Sequence, residues 1–95
     1  MDSYTHVSGK NHGKIFLYAL STCIWCRKTK NLLNSLGVSY DYCDVDQLEG
    51  DAQSETETEI MKWNPKVSFP TLVINDEKCI TGFDEAQIRR ELGIE

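Results

Sequence analysis

Two cysteines separated by two residues, Cys23-Ile24-Trp25-Cys26, have the types and spacing to do chemistry. A thiol exchanges with a disulfide only as its thiolate, so the surroundings of each sulfur decide its use. Ser21-Thr22 precedes the pair and supplies a helix start, with Thr22 the expected N-cap. Cys23 is then the first helical residue, its sulfur facing the unpaired N–H groups of the first turn. The helix dipole favours negative charge at that point by about 0.3–1 kcal/mol. Arg27 and Lys28 follow within a turn and act in the same sense. Cys26 lies on the same side of that turn, placed to attack a mixed disulfide on Cys23 and release the reduced partner. Position assigns the roles: Cys23 attacks and Cys26 resolves.

A CxxC pair also binds zinc when a second pair completes the tetrahedron. No second pair is present, because Cys43 and Cys79 stand alone on separate expected strands. Each of these two reads as a small apolar side chain in a strand.

The elements that must position the pair follow from the flanking patterns. Lys14–Leu20 is apolar on both faces, as in a central strand covered on both sides. After the pair, Trp25, Thr29, Leu32, Leu33 and Leu36 recur at helical spacing, and Gly37 is placed to stop the helix. Val38–Asp46 reads as a second strand, giving a right-handed βαβ unit with parallel strands. A polar connection leads to a helix whose start is expected at the capping-box run Ser54-Glu55-Thr56-Glu57. Asn64-Pro65 ends it. Thr71–Asn75 and Lys78–Phe83 read as a hairpin around Asp76-Glu77. Asp84-Glu85-Ala86-Gln87 is a second capping-box pattern, opening a last helix with Ile88 and Leu92 inward and Gly93 at its end. The expected order is β-α-β-α-β-β-α, one α/β domain over 14–95 preceded by a flexible tail over 1–13.

The totals bound the function. The net charge of −5 argues against nucleic acid as a partner. The charge is unevenly spread, with five basic and no acidic residues from Lys10 to Lys30, and eight acidic and no basic residues from Asp41 to Glu59. The longest apolar run, Ile15–Leu20, is far short of the roughly 20 residues of a membrane span. The polar first dozen residues lack the apolar stretch of a signal peptide. Four cysteines without an export signal are expected to be reduced thiols in a cytoplasmic protein.

Three motifs in order resemble the glutaredoxin family, and the match spans about Lys14 to Gly93. Tyr18–Lys28 is similar to the family's strand end, cysteine pair and basic sequel. Ser68-Phe69-Pro70-Thr71 stands where the family has Thr-Val-Pro, and Thr81-Gly82-Phe83-Asp84 where it has Gly-Gly-x-Asp. The resemblance implies a thioredoxin-like fold, with a four-stranded mixed sheet of order 2-1-3-4 flanked by helices. It implies a cis Phe69–Pro70 bond lying against Cys23. It implies a glutathione site in which Lys14 and Arg27 meet the carboxylates, with Thr22 and Trp25 beside the pair. There the Phe69 backbone pairs with the cysteinyl segment, and Gly82, Phe83 and Asp84 hold the γ-glutamyl end. Two positions depart from the pattern: Ile24-Trp25 replaces the common Pro-Tyr, and Thr81 replaces the first glycine.

The resemblance therefore implies a monomeric thiol–disulfide oxidoreductase acting on protein or mixed disulfides. It needs no resident cofactor and is recharged by glutathione, another small thiol or a reductase. Two relatives of that reading are weighed against it. One is a redoxin serving ribonucleotide reductase, which carries a Trp-Ser-Gly-Phe-like stretch; Ile80-Thr81-Gly82-Phe83 matches it only in the glycine and the aromatic. The other is a module holding a [2Fe–2S] cluster between two subunits, as some members without the proline do.

Overall fold

The computed structural model describes residues 4–94. It runs β1 (Thr5–Val7), β2 (Ile15–Ala19), α1 (Ile24–Leu36), β3 (Tyr40–Asp44), a 3-10 turn (Val45–Gln47), α2 (Asp51–Met61), β4 (Thr71–Ile74), β5 (Lys78–Thr81) and α3 (Glu85–Leu92). Alternation along β2 explains the layering. Ile15, Leu17 and Ala19 point into a core shared with Leu32 and Leu33 of α1 and with Ile88 and Leu92 of α3. Phe16 and Tyr18 point the other way, toward Cys43, Val73 and Ile60 of α2. A strand buried on both faces needs apolar residues at nearly every position, which is why Ile15–Ala19 shows no polar alternation.

The sheet order is β1-β3-β2-β4-β5. β2 runs parallel to β3, with Leu17 opposite Tyr42. It runs antiparallel to β4, with Tyr18 opposite Thr71. Without β1 this is the expected 2-1-3-4 order, and the architecture is the thioredoxin-like α/β arrangement. Among the described residues no helix is long and apolar enough to cross a membrane.

Three expectations on the elements are corrected. The sheet has five strands rather than four. The added strand, β1, comes from the segment assigned to a tail and pairs antiparallel with β3, Thr5 opposite Tyr42. The first three residues of that segment lie outside the described ones. Beyond β1 the chain is strapped to the α1–β3 turn: Lys10 donates its N–H to Gly37 O at 2.8 Å, and Ser39 donates to Lys10 O at 2.9 Å. The second helix starts at Asp51, three residues before Ser54. Gly50, at φ 58, turns the chain into the helix at once, so no side-chain cap is used. The second strand is shorter than Val38–Asp46, because Val45–Gln47 tightens into the 3-10 turn.

Candidate active site

The cysteine pair lies where β2 ends and α1 begins. The expected N-cap moves by one residue: Thr22 stays exposed outside the helix, and Cys23 itself caps α1 in an extended conformation. Its sulfur replaces the hydroxyl that Thr22 was expected to offer, and Cys23 Sγ accepts the Cys26 N–H at 3.2 Å. Cys23 also donates its own N–H to Leu20 O at 3.2 Å. It is half-buried, whereas Cys26 is 0% exposed. Burial, and then the hydrogen bond to Cys23, push the Cys26 thiol up to about 12. The two sulfurs are unequal: Cys23 Sγ is half-buried and accepts one helix-end N–H, and Cys26 is fully buried with its proton held tightly.

The loop that leads to Cys23 is fixed from the side. Asp46, in the 3-10 turn, accepts the Ser21 N–H at 2.8 Å and the Ser21 hydroxyl, and Gln47 Nε2 donates to Ser21 Oγ at 3.0 Å. The Ser21 hydroxyl and N–H hold the Asp46 carboxyl below the ordinary carboxylate range.

A second loop meets the pair across the sheet. The Phe69–Pro70 bond is cis, and Pro70 is buried. Thr71 pairs with Tyr18 of β2 on one side and Thr81 of β5 on the other, so Pro70 stands at the strand end that runs into Cys23. Gly82 donates its N–H to Pro70 O at 2.9 Å. Cys23, Phe69 and Phe83 pack against one core cluster.

The third wall is the start of α3. Asp84 caps it, its Oδ1 accepting the Gln87 N–H at 3.1 Å. Gly82, at φ 76, turns the chain into this cap. Phe83 stacks on Trp25 with ring centroids 6.2 Å apart and planes 25° apart. Lys28 Nζ lies 4.7 Å from the Trp25 ring centroid. Trp25 is 52% exposed, and Ile24 beside it 59%. An open groove of about 470 Å³ continues between α1 and α3, lined by Lys28, Leu32, Phe83 and Arg89 among others.

The family follows from this geometry and from comparison with known proteins. The glutaredoxin family's sequence profile matches residues 15–80. The chain is 55% identical to a glutaredoxin of Methanosarcina mazei Go1, with a TM-score of 0.89, covering 97% of this chain and 89% of that one. It is 53% identical to a methanoredoxin of Methanosarcina acetivorans, with a TM-score of 0.87 and 90% of each chain covered. It is 35% identical to an uncharacterised glutaredoxin-like 8.6 kDa protein in a rubredoxin operon of Clostridium pasteurianum, over 78% of this chain and 91% of that protein. This chain belongs to the glutaredoxin family.

In this glutaredoxin the fold gathers most of the residues singled out in the sequence. Cys23, Cys26, Thr22, Trp25 and Arg27 sit at or within a turn of the start of α1, Phe69 and Pro70 before β4, and Gly82, Phe83 and Asp84 before α3. Lys14 is the exception. It precedes β2, beside the β4–β5 turn, where its Nζ pairs with Asp76 Oδ2 at 2.7 Å. The pair follows the other end of β2, so five strand residues, roughly 17 Å, separate Lys14 from the cysteine loop. Its place in the glutathione carboxylate site is withdrawn.

Two positioning residues were missed. Asp46 reads in sequence as one more charge in an acidic stretch. Asn64 reads as a helix stop before Pro65, yet it is 5% exposed. Asn64 Nδ2 donates to Ser68 Oγ at 2.8 Å, Thr71 Oγ1 at 3.1 Å and Ser68 O at 3.3 Å. These bonds tie both ends of the Ser68–Thr71 loop to the end of α2. The Asn-Pro dipeptide signals a turn, but the acceptors of its Nδ2, on Ser68 and Thr71, lie beyond that turn. Just ahead of the loop, Val67 takes φ 48, an unfavourable conformation for a β-branched residue.

Proposed function

We propose that this glutaredoxin reduces protein disulfides or mixed disulfides by dithiol exchange. Cys23 attacks as the thiolate, a mixed disulfide forms on it, and Cys26 displaces the reduced partner. The observation that carries this reading is the inequality of the sulfurs: Cys23 Sγ caps α1 within reach of an N–H donor, and Cys26 is sealed beneath it. A hydrogen bond accepted by sulfur stabilises the thiolate more than the thiol. The buried partner keeps its proton until a mixed disulfide brings a reacting sulfur next to it.

The electron donor is glutathione, another low-molecular-weight thiol or a disulfide reductase. A small thiol peptide would lie along the Phe69 backbone before Pro70, between Thr22, Trp25 and Arg27 on one side and Gly82, Phe83 and Asp84 on the other. The Trp25–Phe83 stack supports an apolar platform for it. The N–H groups at the start of α3 suit a carboxylate, and Arg27 is exposed one turn into α1.

Single-cysteine variants test the assignment. Cys26→Ser is expected to accumulate a stable mixed disulfide with a model disulfide substrate, seen by non-reducing mass spectrometry. Cys23→Ser is expected to accumulate none and to lose reduction. Equal trapping by both variants would refute the assigned roles. Parallel turnover assays with glutathione and with a thioredoxin-reductase system then identify the donor.

A further inference from the structure

Resolution asks the less reactive sulfur to act. Cys26 is buried, its thiol is pushed up by burial and by Cys23, and it must become negative while the mixed disulfide occupies Cys23. Lys30 lies four residues further along α1 and therefore on the same helix face. Its stem is not free to swing into solvent. Nζ is 2.9 Å from Asp44 Oδ1 and 4.2 Å from the Tyr42 ring centroid. Both members of this ion pair are only 22% exposed. Asp44 stands opposite Ala19, the last residue of β2 before the cysteine loop.

We propose that Lys30 is a positioning residue for the resolving step: its ammonium, anchored by Asp44 and Tyr42, stabilises the charge that develops on Cys26 Sγ. The proposal rests on the dithiol-exchange reading and deepens it.

The surroundings of Cys26 single out this cation. Burial and then Cys23 disfavour its charge, while a hydrogen bond to the Leu20 backbone and, to a smaller extent, the Lys30 charge on α1 favour it. Asp44 and Tyr42 of β3 reach the site through Lys30. The β2, β4, β5 and α3 residues in the core cluster around Cys26 are apolar: Ala19, Leu72, Ile80 and Ile88 are examples. In a low-dielectric setting a half-buried cation acts with little screening.

In the step itself Cys26 gives its proton to solvent, and its thiolate attacks Cys23 Sγ. The Cys23–Cys26 bond forms as the bond from Cys23 to the partner sulfur breaks. The partner leaves as a thiolate and takes a proton from water. The pair is oxidised by two electrons, and the partner is reduced by two.

An aromatic disulfide that releases thionitrobenzoate separates the steps. The first equivalent of chromophore reports attack by Cys23, and the second reports resolution by Cys26. Lys30→Met is expected to slow the second phase relative to the first by about threefold at pH 7. The thiolate fraction falls about tenfold for a one-unit rise, and the greater nucleophilicity of a more basic sulfur returns part of that loss. The pH midpoint of the second phase rises by about one unit. Lys30→Arg, which keeps the charge, restores both. Asp44→Asn leaves Lys30 uncompensated and moves the midpoint down, opposite to Lys30→Met, whereas a merely structural pair would shift both variants alike. An unchanged phase ratio, failure of arginine to rescue, or a midpoint that does not fall in Asp44→Asn overturns the proposal. Asp44→Asn decides it alone if Lys30→Met does not fold. A wild-type protein that releases no first equivalent overturns the exchange reading as well, so the two failures are distinct.

Discussion

A buried amide earns its place by what it holds, and Asn64 holds the loop that presents Pro70. Its Nδ2 serves Ser68 Oγ, Ser68 O and Thr71 Oγ1, while its Oδ1 accepts the Lys66 N–H at 3.2 Å. Thr71 Oγ1 in turn donates to Ser68 O at 2.7 Å, closing the network. Removing the amide takes these bonds away from a buried position, and each contributes about 0.5–1.5 kcal/mol. Asn64→Ala is therefore expected to lower the unfolding free energy by about 1–3 kcal/mol in all, seen as a lower urea midpoint with an unchanged m-value. Asn64→Asp is expected to fare no better, because a carboxylate cannot donate to Ser68 O. A midpoint within error of wild type for both would show that the loop stands without Asn64. The network also explains how Val67 persists at φ 48: the Asn64 carbonyl accepts its N–H at 2.9 Å, and the bonds on either side fix the turn.

Among the elements, the N-terminal strap depends on one close approach. An ideal Cβ on Gly9 would lie 2.6 Å from the Val38 carbonyl carbon and 2.7 Å from Gly37 O, all backbone atoms that cannot swing aside. Gly9→Ala is expected to push the strap off the α1–β3 turn and to cost about 1–3 kcal/mol. Faster amide exchange at Ser39, which donates to Lys10 O, is the local signature; unchanged exchange there would contradict it. The strap shows why the sequence was legible only in part. β2, β4, β5 and α3 announce themselves through apolar pattern and turn residues, and Asp84 caps as its spacing promises. Thr5-His6-Val7 has no such pattern; it becomes a strand because β3 offers a free edge and Gly9 lets the backbone close in. Ser54 looked like a helix start, but the left-handed Gly50 begins α2 earlier, and backbone angles are not written in side-chain type. The cysteine pair was legible at once, since its spacing carries its chemistry. Asp46 was not, because its partner Ser21 lies 25 residues away, and Asn64 was not, because the turn that brings Ser68 and Thr71 back to its amide rests on backbone angles. Lys14 was misplaced because a motif match does not say at which end of a strand a flanking residue lies.

At the scale of the whole molecule, burial gives the protein an alkaline limit. The Cys26 thiol is pushed from 9.0 to about 12 and the Tyr18 phenol from 10.0 to about 12, in both cases chiefly by burial. Burial also raises Tyr40, Cys43 and Cys79. Each group holds its proton more tightly when folded than when unfolded. Below the unfolded values both states are protonated, and the full stability is present. As the pH climbs past about 9 the unfolded chain begins to ionise while the folded one does not, so the balance shifts toward unfolding until about 12. Urea midpoints taken from pH 7 upward are thus expected to hold nearly level and then to fall steadily above about 9. Cys26→Ala removes one contributor. It starts lower because it opens a small cavity, yet its midpoint declines less steeply with pH than that of the wild type. A parallel decline in the two proteins would mean that Cys26 loses its proton as readily in the fold as outside it. The resolving role proposed for Cys26 would then need no help from a neighbouring cation.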